Sequence, residues 1–168
     1  MTGYSVEIND AEIEAGLREL GQRLSDFTQP FEVIGDLLED TTEKRFDEGV
    51  SPDGIPWAPK SQTTIDAYER KGFAVDFRPL FGPNLDTLPL RKSFFHDAGP
   101  TTLEIGTNKV QAAVMQFGAA KGAFGTDARG GSIPWGNIPA RPFLGISDTD
   151  SVAILQTIEE WLEEAVDD

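Results

Sequence analysis

Apolar residues at both ends of the chain recur with helical spacing, whereas those in the middle do not, and this division limits the fold more than any other feature. Near the N-terminus the spacings are four, three, four and three, at Ile13, Leu17, Leu20, Leu24 and Phe27. They lie on one stripe of a helix predicted over residues 10–26, with Asn9 or Asp10 as its cap. A second helix is predicted from Pro30 to Gly49, because proline suits a first turn and glycine ends a helix.

The C-terminal segment predicts a third helix. Ser147 or Asp148 serves as its cap. The apolar positions that follow have helical spacing: Ile154, Leu155, Ile158, Trp161, Leu162 and Ala165.

The middle of the chain indicates short strands and turns. Residues 101–107 alternate in polarity and residues 110–117 follow after a two-residue turn, so a β-hairpin of these two segments is predicted. Residues 61–70 fit a short helix, and the glycine-rich residues 119–137 predict a flexible loop. The whole chain, residues 1–168, is therefore expected to be a single α+β domain. In it the N-terminal helices and the C-terminal helix pack on an antiparallel sheet.

Charge is divided in the same way as the helices. The chain has 29 acidic and 14 basic residues, for a net charge of −15, which disfavours binding to DNA or to anionic lipid. Residues 1–50 carry −9, residues 51–146 carry +2 and residues 147–168 carry −8. We expect the acidic helices to face water or DNA and the near-neutral middle to face protein. No leader or membrane-spanning segment is evident, which predicts a protein made in the cytoplasm.

The residue types needed for most catalytic and metal sites are scarce. The chain has no cysteine and one histidine, His96, so thiol chemistry and thiolate zinc sites are excluded. His96 and Asp97 are adjacent and point different ways, which favours a half-buried or surface histidine over a catalytic pair. No phosphate-binding glycine spacing is present. We predict no catalytic residue, no metal site and no cofactor.

The segment 138–145 is the least ordinary part of the sequence. Pro139 and Pro142 flank Arg141, which holds the chain stiff and fixes the direction of the arginine. A fixed arginine in so acidic a chain predicts a structural ion pair, with contact to a partner subunit as the alternative.

An ordered set of motifs from about Arg45 to the C-terminus resembles the phage virion morphogenesis family, which includes tail completion proteins. The matching positions are Phe46, Gly49, Ser51, Pro52, Asp53, Gly54, Pro56, Trp57, Lys60, Thr64, Leu90, Ser93, Ile105, Gly106, Thr107, Gln116, Phe117, Gly118 and the run from Ile138 to Gly145. Residues 1–44 and the glycine-rich loop show no such motif.

The resemblance implies a structural protein of the virion. It would complete the tail or the neck at the head–tail junction as a homo-oligomeric ring, expected to be a hexamer, beside tail-tube and head–tail connector proteins. DNA would pass nearby without being specifically bound.

The same resemblance implies packing and positioning roles for the motif residues. Pro56 and Trp57 would be a packing anchor, and Gln116, Phe117 and Gly118 would end a core strand. The run that contains Pro139, Arg141, Pro142, Phe143, Leu144 and Gly145 would position the last helix.

Two functions of other classes stay open. A phage-encoded hydrolase would use paired carboxylates, with His96, Asp53, Asp66 and Asp97 as the residues to replace. An acidic inhibitor that mimics DNA would agree with the net charge but leaves the ordered motifs without a role.

Overall fold

The computed structural model describes residues 11–83 and 89–167. In these ranges the chain forms helices α1 (Ala11–Arg23), α2 (Thr28–Glu48) and α3 (Gln62–Arg70), a single 3-10 turn (Leu90–Lys92), strands β1 (Phe94–Ala98) and β2 (Leu103–Thr107), and helices α4 (Ala112–Phe117) and α5 (Asp148–Asp167).

Helix α2 is the centre of the fold. Strands β1 and β2 form a two-stranded antiparallel sheet in which Phe94 is opposite Thr107 and Ala98 is opposite Leu103. Both strands contact α2, α5 packs beside α2, and α1 contacts α5. The predicted α+β class is confirmed, and α2 is the helix that makes the main contact with the antiparallel sheet, while α5 packs on α2 and α1 on α5.

The predicted helices lie close to the observed ones, but the predicted hairpin is wrong. Strand β2 pairs with residues 94–98 that precede it, not with residues 110–117 that follow it. Residues 112–117 form helix α4. A short apolar run suits a helix or a strand equally well, and Ala112, Ala113, Met115 and Gln116 are good helix formers. The predicted cap at Asn9 or Asp10 lies outside the described residues.

Aromatic rings from four distant segments build the core. The Phe46 ring centroid lies 5.3 Å from that of Trp57 and 5.3 Å from that of Phe143. Phe94 of β1 lies 5.4 Å from Phe143. Leu90 and Ala112 complete the buried cluster. Such ring contacts add to the free energy gained by burying apolar area, so this cluster joins α2 to the hairpin and to the 141–145 segment.

A tight turn after α2 returns Trp57 to this core. Gly49 ends the helix in the left-handed conformation, with φ of 73°, and its amide donates to the Arg45 carbonyl at 2.7 Å. The amide of Trp57 then donates to the Gly49 carbonyl at 2.8 Å. The motif that begins at Ser51 therefore reverses the chain and places the indole against Phe46.

Residues 119–138 leave the core and return to it. Ala119 and Ile138 exchange both backbone hydrogen bonds at the base of this excursion, at 2.9 and 2.8 Å. Further along, the Phe124 amide donates to the Ile133 carbonyl at 2.7 Å, and the Ile133 amide donates to Gly125 at 2.8 Å. The loop predicted at 119–137 thus carries cross-linking backbone hydrogen bonds, and its flexibility stays a prediction.

Candidate functional site

Most of the sequence-predicted residues meet around the segment 141–145, and Arg45 of α2 lies at its far end. Arg45 Nη1 donates to the carbonyl oxygens of Phe143 at 3.0 Å and Gly145 at 2.9 Å. Arg45 Nη2 donates to Asp150 Oδ2, and the two side chains are only 7% and 2% exposed. The ion pair therefore fixes the end of α2 to the start of α5.

Asp150 also caps its own helix. The Ser147 amide donates to Asp150 Oδ2 at 2.8 Å, and the Asp150 amide donates to Ser147 Oγ at 3.1 Å, which is a reciprocal capping box with aspartate in place of the usual glutamate. Burial alone would raise the pKa of Asp150. The hydrogen bonds from Ser147, the charge of Arg45 and a hydrogen bond from Thr41 outweigh burial and lower this pKa.

Gln116 holds the middle of the segment with both ends of its amide. Its Oε1 accepts from the amides of Phe143 at 2.9 Å and Leu144 at 3.1 Å. Its Nε2 donates to the Leu144 carbonyl at 2.9 Å. One side chain thus replaces the strand partner that this extended segment lacks.

Trp57 and Arg141 join the segment to the turn that follows α2. The Trp57 indole Nε1 donates to the Pro142 carbonyl at 2.8 Å. In return, Arg141 Nε donates to the Ala58 carbonyl at 2.8 Å, and Nη2 donates to the Pro59 carbonyl at 2.9 Å. Burial lowers the pKa of Arg141.

The predicted ion pair of Arg141 is therefore wrong. In the described ranges its guanidinium meets backbone carbonyls and forms no salt bridge with a carboxylate. The buried ion pair belongs to Arg45 instead.

Two glycines allow close approaches at and beside this segment, to backbone atoms at Gly118 and to the Pro52 ring at Gly145. A Cβ on Gly118, whose φ is 74°, would lie 2.8 Å from both the Ala140 nitrogen and the Ile138 oxygen. A Cβ on Gly145 would lie 2.7 Å from Pro52 Cγ. Both distances are shorter than a carbon atom tolerates, so these positions require glycine for space.

The other predicted motif residues differ in burial, and not all of them have the predicted role. Trp57 and Phe143 are buried at 6% and 0% exposure. Pro56 is exposed, so the proposed packing anchor is Trp57 alone. Phe117 is 78% exposed and ends helix α4, so the prediction that it ends a core strand is wrong. Pro139 is exposed beside the base of the 119–138 excursion.

Sequence reasoning missed the roles of Arg45 and Asp150. The pattern Ser147-x-x-Asp150 resembles a capping box and marks the start of α5. Nothing in the sequence links it to Arg45, because the pair spans 105 positions.

The contacts around this segment are structural. The polar side chains that hold residues 141–145 form hydrogen bonds with backbone groups of the same chain, and Asp150 also accepts a hydrogen bond at the start of α5. In the described part of the chain, no buried side-chain nitrogen or oxygen is left without a hydrogen-bond partner. The segment is thereby held in one conformation, and it fixes α5 relative to α2.

His96 lies elsewhere, on β1 facing α2. Its Nδ1 is 2.6 Å from Glu39 Oε1 and its Nε2 is 3.0 Å from Glu32 Oε2. The hydrogen bond to Glu39 is the main cause that raises the pKa of His96, with Glu32 adding to it against the opposing effect of burial. A Cβ on Gly35 would overlap the imidazole, at 2.3 Å from Cδ2, so the ring lies directly on the α2 backbone.

The acidic residues considered for the hydrolase alternative lie on separate elements and do not form a cluster with one another. Asp53, Asp66 and Asp97 are exposed and lie on the turn after α2, on α3 and on β1. Over residues 11–83 and 89–167 no group of three or more histidine, cysteine or acidic side chains is placed to hold a metal ion. None of the described helices is long and apolar enough to cross a membrane.

Comparison with known proteins gives the family. Residues 8–163 match the phage virion morphogenesis family, so the match also covers most of residues 1–44, where no motif was evident. The chain is 28% identical over 159 residues to the Mu-like prophage FluMu G protein 2 of Haemophilus influenzae, covering 94% of this chain and 95% of that protein. No solved structure matches it. The chain belongs to the phage virion morphogenesis family, which gives it a role in building the phage particle.

Proposed function

We propose that this protein completes the tail or the neck of a phage particle at the head–tail junction, as a homo-oligomeric ring, which we expect to be a hexamer. Its neighbours would be tail-tube and head–tail connector proteins. The observation that carries the proposal is that the motif side chains are bonded to the chain's own backbone, so they build a rigid subunit rather than a reaction centre.

The exposed aromatic side chains support an assembly role. Six are more than a third exposed in the described ranges, and all six lie between residues 51 and 146: Phe73, Phe77, Phe95, Phe117, Phe124 and Trp135. That region carries +2, whereas the two ends carry −9 and −8. Aromatic residues are enriched in protein interfaces, while charged residues are depleted at interface centres. The near-neutral middle is therefore the part suited to face other subunits.

The acidic helices suit a surface past which DNA moves. Glu14 of α1 and Glu159, Glu160, Glu163 and Glu164 of α5 are all exposed. Like charge opposes the counterion release that drives proteins onto DNA. In a ring whose bore these helices line, DNA would pass without adhering. Retention of the purified protein on DNA at physiological salt would contradict this part of the proposal.

Electron microscopy of particles assembled without this protein tests the function. A tail terminator predicts filled heads beside tails of irregular length, whereas a head-joining protein predicts separate heads and well-terminated tails. Normal particles would contradict both roles.

A cell-wall turnover assay on the purified protein tests the hydrolase alternative. A hydrolase predicts turnover that is lost when Asp53, Asp66, His96 and Asp97 are replaced by alanine while the fold is retained. A structural subunit predicts normal particle assembly with the same variant.

A further inference from the structure

Strand β2 has one edge that is not paired with another strand. Its other edge pairs with β1, and over residues 11–83 and 89–167 the sheet consists of these two strands alone. A free strand edge presents backbone N–H and C=O groups that a further extended segment can bind. The free edge of β2 is therefore a surface on which a third strand can be added.

An apolar cavity of about 310 Å³ lies along this free edge. No residue of β1, which is described in full, lines it. Leu103 and Ile105 of β2 do line it, and both are only half-buried, so this side of β2 is not fully covered within the subunit. The other walls are aliphatic side chains of the two neighbouring helices: Ile34 and Leu38 of α2, and Ile154 and Ile158 of α5.

Residues 4–8 have the sequence pattern of a strand that would fit there. Tyr4, Val6 and Ile8 are apolar and alternate with the polar Ser5 and Glu7. Such alternation is typical of a strand with one buried face, and tyrosine, valine and isoleucine favour strands. These residues lie outside the described part of the chain, so this step rests on the sequence pattern.

Helix α1, which follows residues 4–8 after two positions, is held mainly at its C-terminal end. There Phe27, just after the helix, packs on Trp161 of α5 with ring centroids 4.7 Å apart. By contrast, residues 14–19 in the first half of α1 are all exposed, and Leu17 is 65% exposed. A strand attached to this end of α1 is therefore better placed to reach another copy of the chain than its own β2.

We propose that residues 4–8 of one subunit add as a third strand to the free edge of β2 in the next copy of this chain, with Tyr4, Val6 and Ile8 entering the apolar cavity. This inference rests on the proposed ring and names the two surfaces that join its subunits.

Strand addition suits a small cavity. In this mode of binding the main-chain hydrogen bonds provide affinity, and pockets for alternate side chains provide specificity. The cavity therefore has to accept three side chains and not a folded element of the partner. The exposed Leu17 of α1 follows in the same segment and offers further apolar contact.

A ring also requires two different surfaces of this kind. Cyclic assemblies with more than two subunits use heterologous interfaces, in which one surface of the chain fits another surface of the next copy. Residues 4–8 and the edge of β2 are such a pair, and β2 belongs to the near-neutral middle of the chain.

Charge predicts the direction of the added strand. With Val6 beside Ile105, an antiparallel strand would set Glu7 opposite Glu104, and like charges directly opposite each other are destabilising. A parallel strand instead sets Ser5 beside Glu104. We therefore expect residues 4–8 to run parallel to β2.

Disulfide trapping tests the pairing, because the natural chain has no cysteine. Ser5→Cys, Glu7→Cys and Glu104→Cys are made as separate variants, and each of the first two is mixed with the third under assembly conditions and oxidised. A disulfide requires Cα atoms about 4.4–6.8 Å apart, which neighbours on adjacent strands satisfy. Asp97→Cys replaces Glu104→Cys in the control, because Asp97 is an exposed acid opposite Glu104 on β1.

The expected product is a disulfide-linked dimer of one Glu104→Cys chain with one Ser5→Cys chain, formed in larger amount than with Glu7→Cys. The Asp97→Cys control should give at least about tenfold less mixed dimer, since residues two strands apart are about 9.5 Å from each other. The chain that carries both Ser5→Cys and Glu104→Cys should give a ladder of linked products that ends at the ring size. A disulfide closed within one chain, or no mixed disulfide from either variant, would overturn the inference.

A second measurement uses Val6→Asp, which would bury an unpaired charge in the apolar cavity. Asn9→Asp is the matched control, because it adds the same charge beyond the strand and keeps a residue that can cap a helix. Light scattering after size exclusion should show that Val6→Asp raises the concentration at which the oligomer dissociates by at least about tenfold, while Asn9→Asp does not change it. An oligomer that forms normally with Val6→Asp overturns the strand inference and leaves the ring intact. A wild-type chain that stays monomeric at all concentrations and in particles overturns the ring and the inference together.

Discussion

Arg45 of α2 binds Asp150 of α5 inside the protein, 105 positions further along the chain, and both side chains are buried. The same guanidinium donates to the carbonyls of Phe143 and Gly145. One side chain therefore sets the position of α5 relative to α2 and holds the end of the segment between them. The apolar cavity lined by Ile34 and Leu38 of α2 and by Ile154 and Ile158 of α5 lies between these two helices, so its shape depends on the same relationship.

The first prediction concerns this ion pair. Asp150→Ala leaves the buried charge of Arg45 without a carboxylate and removes the acceptor of the Ser147 amide from the capping box of α5, so we expect the free energy of unfolding to fall by about 3–5 kcal/mol. Urea denaturation at neutral pH measures the change. Lys92→Ala is the control, since its salt bridge to Glu43 is open to solvent, and it should change the free energy of unfolding by less than about 1 kcal/mol. Equal effects of the two variants would show that burial of the pair does not matter.

The helices could be predicted from the sequence because their signals are local. The stripe from Leu17 to Phe27, the glycine at position 49 and the cap at Ser147 each act within a turn or two of the chain. Helix α3, with Ser61 accepting a hydrogen bond from the Thr64 amide, is a further case.

The pairing of β2 and the contacts around residues 141–145 could not be predicted, since both depend on residues that are far apart in the sequence. Phe94, His96 and Ala98 are less exposed than Phe95 and Asp97, an alternation that indicates a strand once α2 covers one face. The partner of Arg141 was mispredicted for a related reason. The sequence shows which charged side chains exist but not which backbone carbonyls a turn will place beside them. Arg141 therefore donates to the carbonyls of Ala58 and Pro59 where a carboxylate was expected.

The second prediction concerns Gln116. Gln116→Ala removes three hydrogen bonds to the backbone of Phe143 and Leu144, and the loss should be about 1–3 kcal/mol in the free energy of unfolding. Gln116→Glu keeps an acceptor for the two amides but sets a carboxylate against the Leu144 carbonyl, so it should also destabilise. Gln62→Ala serves as the control, because Gln62 donates to the exposed Asp66 side chain in α3. A Gln116→Ala protein as stable as Gln62→Ala would contradict the role given to this amide.

The third prediction separates the two functions of Trp57. Trp57→Ala removes a buried ring that packs on Phe46, at a cost of about 3–5 kcal/mol in the free energy of unfolding. Trp57→Phe keeps an aromatic ring but leaves the Pro142 carbonyl without its donor, which costs about 1 kcal/mol for the hydrogen bond in addition to the smaller ring. Thermal and urea unfolding should therefore place Trp57→Phe between the wild type and Trp57→Ala. Near-wild-type stability of Trp57→Ala would overturn the anchor role.

The fourth prediction concerns pH. The pKa of His96 is raised, chiefly by Glu39 and then by Glu32, so the protonated ring stabilises the folded state. This contribution is fully present below the unfolded pKa of about 6.5 and is lost as the pH rises through the higher folded pKa. The difference in unfolding free energy between wild type and His96→Gln should therefore shrink as the pH rises above about 6.5.

Glu39→Gln checks the cause, because it removes the main partner of the imidazole and should reduce the pH dependence as well. Urea unfolding of all three proteins between mildly acidic and mildly alkaline pH supplies the comparison. A wild-type advantage that is constant across this range would mean that His96 contributes only as a neutral contact.

The fifth prediction concerns Gly118, which ends α4 with φ of 74° and ψ of 175°. Only glycine adopts this backbone region readily, and a strained residue there costs about 1–3 kcal/mol. An added Cβ would also lie 2.8 Å from two backbone atoms of residues 138 and 140, which cannot move as a side chain can. We therefore expect Gly118→Ala to lower the free energy of unfolding by at least that amount and to displace the base of the 119–138 excursion. Gly136→Ala adds a Cβ where no atom lies within 4 Å, so it should leave the free energy of unfolding unchanged or slightly raised.

Hydrogen exchange at the Ala119 and Ile138 amides measures how often the two hydrogen bonds at the base of the 119–138 excursion open, and only Gly118→Ala should accelerate it. Equal exchange in the two variants would show that the close approach at Gly118 does not hold the 119–138 excursion in place.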